Sequence, residues 1–148
     1  GVEALFKAEG TSAYREEYNF LIVSDGSSPP ADKAPSLVGT PFRLIDVATS
    51  QIRALRSRSL VAHFQSTPNV GSYLRLGNTA AYIAHSAQRA LPTIDTLSPA
   101  TVDRLGRMKT HLSQLSPAEM TELCRHGWEV ADYTLACYSP DYFEHIPW

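Results

Sequence analysis

Asp25-Gly26 stands directly after the most apolar short run of the sequence, Phe20-Leu21-Ile22-Val23. A carboxylate at a strand end can act as a catalytic acid, base or orienting group. The same pair can equally do no more than open a turn. Arg53, Arg56 and Arg58 lie close together further on, and could bind phosphate or an anionic lipid surface. Their bland alternative is a solvated helix face with an internal ion pair, Asp46 to Arg53 or Arg43. The five histidines, His63, His85, His111, His126 and His145, are scattered, and none has Cys, Asp or Glu at a metal-ligand spacing. Glu122 and His126 are spaced i,i+4, as an ordinary surface contact would be. No G-x-S-x-G, Walker motif or G-x-G-x-x-G occurs. The 148 residues therefore offer no nucleophile elbow, no phosphate loop and no metal set, and no organic cofactor is implied.

The elements that must position these residues start with a strand. Tyr18 to Ser24 reads YNFLIVS, an unbroken apolar run and not an alternation. That pattern predicts a strand covered on both faces, as in a parallel α/β sheet. It stops at Ser24-Asp25-Gly26-Ser27-Ser28-Pro29-Pro30, a loop-forming cluster. A buried strand needs partners on both edges. No second strand of equal quality stands out, so the expectation is a strand flanked by neighbours from another segment.

The remainder reads as mainly helical. Val2 to Glu9 is a short helix stopped by Gly10. Residues 42–64 form a long helix with Ile45, Ala48, Ile52, Leu55 and Ser59 along one face. Residues 65–78 read as irregular, and Thr79 to Leu91 as a helix ended by Pro92. Ser98-Pro99 gives an N-cap and a proline at N1. Its helix carries Val102, Leu105, Met108, Leu112 and Leu115 on one stripe. Ser116-Pro117-Ala118-Glu119 is a capping box. The stripe it opens is Met120, Leu123, Cys124, Gly127, Trp128, Ala131 and Leu135. These last two stripes are expected to pair as a hairpin that buries Leu112, Leu115, Leu123 and Trp128. Three regions result: 1–41 as helix, strand and loop, 42–138 as a helical region, and 139–148 as an aromatic tail.

Composition sets the outer limits. The chain is 43% hydrophobic and 19% charged, so it has the means to fold. A net charge of −2 argues against electrostatic binding to nucleic acid. No run of about 18 apolar residues suggests a membrane span, and no signal peptide is visible. Cys124 and Cys137 share one helix, roughly 20 Å apart. That is too far for a disulfide, which needs Cα atoms within about 7 Å. They read as buried, inert thiols in a reducing compartment, which places the protein in the cytoplasm or peripherally on a membrane.

In order and spacing, LIVSDGSSPP, FRLIDVATSQIRALRSRSLVAHF, GSYLRLG and ELCRHGWEVADYTL resemble the C-terminal part of bacterial patatin-like phospholipases. That part has a strand ending in V-S-D and a helix like D-x-x-x-x-Q-x-R-x-L-R. The corresponding residues here are Asp46, Gln51, Arg53, Leu55 and Arg56. A Y-W-G-I-like segment is represented by Tyr73-Leu74-Arg75-Leu76, which departs at the Trp and Gly. An N-W-G-Y-x-x-x-D-like segment is represented by Arg125 to Asp132. The likeness covers roughly residues 1–138.

The resemblance implies an α/β fold: the C-terminal half of a patatin-like three-layer fold, with one buried sheet strand and a mainly helical cap. It implies a lipid acyl hydrolase with a Ser-Asp dyad and a glycine-rich oxyanion loop. Gly1-Val2-Glu3 looks like the end of the segment that follows the family's dyad aspartate. The dyad is then expected upstream of Gly1, and Asp25 is not its acid. Gly1 could be a tag scar, an expression boundary or a proteolytic cut, and a cut would suit the incomplete sheet. The implied partners are the N-terminal half of the same enzyme, as a separate chain or not, and a lipid substrate or membrane surface. The alternative is a stand-alone, non-catalytic helical interaction module.

Overall fold

The computed structural model describes residues 20–26, 40–108 and 114–148. They form a small α/β structure of four helices and a two-stranded parallel sheet. Strand β1 is Leu21–Asp25, and β2 is Gly71–Arg75. Between them runs helix α1, Thr40–Ser66. Parallel strands require a long crossover, and α1 supplies it. Leu21 stands opposite Gly71, Val23 opposite Tyr73 and Asp25 opposite Arg75.

β2 corrects the sequence reading, which left 65–78 irregular and 42–138 wholly helical. Its Gly-Ser start carries loop signals, and its burial comes from distant elements. Tyr73 hydrogen-bonds Ser57 of α1, whereas Ser72, which points to the opposite face, contacts Ser139. Ser139 caps helix α4, Pro117–Tyr138. Helices thus lie on both faces of β2. Close packing dictates Gly71: a Cβ there would fall 2.4 Å from the Leu21 carbonyl oxygen and 2.6 Å from the Phe64 ring.

Because the cover lies over β2, β1 is less enclosed than its apolar run predicts. Leu21 and Val23 are half-buried, Ile22 is 49% exposed, and Ser24 is exposed. Among the described residues β1 pairs with β2 alone, so it is neither central nor covered on both faces there.

Helix α2, Ala80–Ser86, is capped by Thr79, whose side chain accepts the Tyr82 N–H. It is shorter than predicted. The chain leaves it at Ala87, and Gln88 takes a left-handed backbone conformation. Helix α3, Pro99–Gly106, begins at the foreseen Ser98 cap. Helix α4 begins at the foreseen capping box, with both reciprocal bonds between Ser116 and Glu119 formed.

The partner of α4 is not the one expected. Its main helical contact is with α2, where Ala80, Ile83, Ala84, Tyr133 and Cys137 form the core cluster. The buried face of α4 carries His126, Glu129, Val130, Tyr133, Thr134, Ala136 and Cys137. The predicted stripe points largely elsewhere: Met120 is 50% and Trp128 43% exposed, and Cys124 is exposed too. Polar residues at 126, 129 and 134 disguised the inward face. Leu115 and Leu123 are half-buried. The predicted helix at Val2 to Glu9, as well as Leu112 and His111, lies outside the described residues. No helix among the described residues is long and apolar enough to cross a membrane.

Candidate functional site

A cavity of about 910 Å³ lies beside β2, bordered by α1, α2 and α4. α1 turns a single face to it. Ala54, Ser57 and Val61 line it three and four residues apart, as one side of a helix must, and Arg53 and Arg58 line its two flanks. β2 adds Tyr73 and Arg75, and the end of β1 adds Asp25.

Three side chains in this wall form a hydrogen-bonded chain. The Tyr73 hydroxyl donates to Asp25 Oδ2 at 2.5 Å, and Ser57 Oγ lies 2.9 Å from the same hydroxyl. Tyr73 has one proton and gives it to Asp25, so Ser57 is the donor to Tyr73. The parallel register makes this possible. Tyr73 and Asp25 share a sheet face and are diagonal neighbours.

The Tyr73 pKa is raised, first by burial and then by the hydrogen bond to Asp25. The phenol therefore stays protonated at neutral pH and cannot take the proton of Ser57. Ser57 is thus not activated as a nucleophile. The arrangement orients Tyr73 and holds a carboxylate at the cavity edge; as it stands it is not a hydrolytic dyad.

The three guanidiniums are set differently. Arg53, Arg58 and Arg75 are exposed, and none has an ion pair among the described residues. Of the arginine group read from the sequence, Arg53 and Arg58 line the cavity and Arg56 does not. The side chains of Arg43 and Asp46 lie outside what is described.

The opposite face of α1 is equally informative. Ile45, Ile52 and Leu55 are 62%, 50% and 60% exposed. At about 100° per residue these positions lie roughly opposite Ser50, Ala54 and Ser57. Over this stretch the helix turns Ser50, Gln51, Arg53 and Ser57 toward the hollow and Ile45, Ile52 and Leu55 away from it.

A second polar centre sits under α4. His126 is 1% exposed, and its Nε2 accepts the Gly77 N–H at 3.2 Å. Burial lowers its pKa, against a smaller opposing pull from Glu129. The predicted surface pairing of His126 with Glu122 is therefore wrong, and Glu122 pairs with Arg104 of α3. Both Glu129 carboxylate oxygens accept the Leu97 N–H, at 3.2 and 3.1 Å, and Arg125 Nε donates to it at 2.9 Å. Tyr133 donates to the Pro92 carbonyl. These bonds strap residues 92–97 onto α4.

The tail is held from the same helix. Asp132 accepts from His145 Nδ1 at 2.5 Å and from the Ile146 N–H at 2.7 Å. Among the described residues no three metal-ligating side chains converge here or elsewhere, and every buried side-chain nitrogen and oxygen has a partner.

Ser57 is not marked by the sequence, and Tyr73 and Arg75 enter there only as part of a family-like segment, with no role at a site. The available signal was GSYLR itself: a short segment with a tyrosine, bounded by Asn69 and by Gly77-Asn78, which reads as a strand once its turn signals are weighed. Compared with protein-family models, curated proteins and solved structures, the chain matches none.

Proposed function

We propose that this chain is the C-terminal portion of a patatin-like lipid acyl hydrolase whose Ser-Asp dyad is supplied by sequence preceding these residues. The observation that carries the reading is the uncovered surface around β1. Its second edge meets no described strand, Ile22 is 49% exposed, and the outer face of α1 presents Ile45, Ile52 and Leu55. An edge without a described partner strand, beside an exposed apolar helix face, is what a sheet shows when its neighbours are taken away. The order and spacing of the family-like segments point the same way. The absence of base activation at Ser57 agrees with a dyad located elsewhere.

In the complete enzyme a serine would attack the acyl ester with an aspartate as base, and backbone N–H groups would hold the oxyanion. The substrate class is a phospholipid or lysophospholipid. The interface between the two portions would exceed about 2,000 Å², as in a core cut in half.

The test compares the 148-residue chain with the same chain extended by its upstream coding sequence. The extended protein should carry G-x-S-x-G, label with a fluorophosphonate at that serine and hydrolyse acyl esters. The shorter chain should do none of these. Ester turnover by the short chain that disappears in Asp25→Ala would overturn the proposal. So would upstream sequence without the serine motif. A monodisperse 16.3 kDa monomer with sharp amide signals would favour a non-catalytic interaction module that uses the outer face of α1.

A further inference from the structure

We infer that the cavity beside β2 is a binding site for a phosphoryl group. The inference rests on the cavity alone and does not depend on the hydrolase reading.

The first argument is charge. Three guanidiniums, Arg53, Arg58 and Arg75, line the cavity against one carboxylate, Asp25, which leaves an excess of two positive charges. The chain as a whole has a net charge of −2. Cations are therefore concentrated in this concavity against the overall balance. None of the three arginines is neutralised by an ion pair among the described residues. Like charges gathered around one hollow repel one another, and an anion seated between them relieves that repulsion.

The second argument is geometry. Arg53 and Arg58 come from α1, and Arg75 comes from the end of β2. Cations thus reach the hollow from two elements. Guanidinium forks match the oxygen pairs of phosphate bidentately. Neutral donors complete the lining: the Ser50 and Ser86 hydroxyls and the Asn78 amide. Donors of this kind suit the three oxygens of a phosphomonoester.

The third argument is the Asp25–Tyr73–Ser57 chain. Tyr73 donates a hydrogen bond to Asp25, so one oxygen of the lining's single carboxylate is already engaged. Aromatic and apolar side chains, among them Phe64, Tyr82, Ile83 and Tyr138, line other parts of the hollow. They would accommodate a carbon skeleton attached to the phosphate. Two sources share this chemistry, a soluble phosphomonoester and a phosphatidic acid headgroup.

The experiment titrates the purified protein, in the assembly in which it is isolated and at low salt. The probes are inorganic phosphate, glycerol 3-phosphate, and vesicles of phosphatidylcholine with and without phosphatidic acid. Saturable binding of at least one phosphate-bearing probe is expected. Arg53→Gln and Arg75→Gln should each weaken it about tenfold. Arg104→Gln, outside the cavity, should leave it unchanged. Binding of either soluble probe would identify a soluble ligand, and binding only to phosphatidic acid vesicles a headgroup; each supports the inference. Failure of inorganic phosphate and glycerol 3-phosphate, together with vesicle binding no stronger with phosphatidic acid than with phosphatidylcholine alone, overturns it. So does binding that survives the Arg53→Gln/Arg75→Gln double variant, or that Arg104→Gln weakens as much. No arm reads ester hydrolysis, so this inference and the hydrolase proposal fail separately.

Discussion

The α2–α4 region and the α1 region treat polar side chains in opposite ways. Under α4, His126, Glu129 and Thr134 are buried. His126 and Glu129 are matched to backbone groups, Gly77 N–H and Leu97 N–H. Along α1 from Leu44 to Ser59 no described side chain is fully buried, and arginines face an open hollow while isoleucines face outward. Burying a polar group without a partner is costly. The first region meets that constraint from within the chain. The second leaves its side chains exposed or half-buried. One region is a packed core and the other is an exposed surface.

The largest expected effect tests the packed core. Tyr133 is 3% exposed and sits in the core cluster with Ala80, Ile83 and Cys137. Tyr133→Ala should cost about 3–5 kcal/mol in chemical denaturation. Trp128→Ala, at 43% exposure, should cost clearly less. Equal losses would mean that the two faces of α4 are not distinguished as described.

A smaller effect lies at the joint between the regions. Gly71 packs against both the Leu21 carbonyl and the Phe64 ring. Gly71→Ala must push β1 or α1 away from β2, at about 1–3 kcal/mol for overpacking. Loss of amide protection should spread through β1, β2 and the end of α1 while α4 keeps its own. Uniform loss would show that the two regions unfold as one unit.

The smallest effect concerns pH. The folded His126 imidazole is neutral, buried and an acceptor, and its pKa lies below the ordinary value of 6.5. Below about pH 6.5 the unfolded chain binds a proton that the folded chain refuses, so stability falls as pH falls through that window. Above it the contribution is complete and flat. The denaturation midpoint should therefore drop between pH 7 and 5.5, and His126→Gln should flatten that slope. An unchanged slope in the variant would assign the pH dependence to other groups.

Legibility from sequence followed the range of the interactions. The caps at Ser98 and Ser116 are local chemistry, written in four consecutive residues, and both formed as read. The strand at 21–25 was also visible from its own composition. β2 was missed because two of the partners that bury it, Leu21 and Ser139, are distant in sequence. The α4 face was misassigned for a related reason. An apolar stripe through Met120 and Trp128 is the natural choice unless one knows that Gly77 and Leu97 will satisfy His126 and Glu129. The Asp25–Tyr73 contact depends on strand register, which no local pattern specifies. The arginines were visible, but not the hollow that gathers two of them with Arg75.

The tail leaves this molecule with an unevenly placed optical probe. Its two tryptophans, Trp128 and Trp148, meet with ring centroids 6.1 Å apart, and the Trp128 indole N–H donates to the Ile146 carbonyl at 2.9 Å. All tryptophan emission therefore arises at one seam, where the last residues lie on α4. A fluorescence trace would follow the tail lifting from that helix, while α1 and the arginine-lined hollow could rearrange without altering the signal.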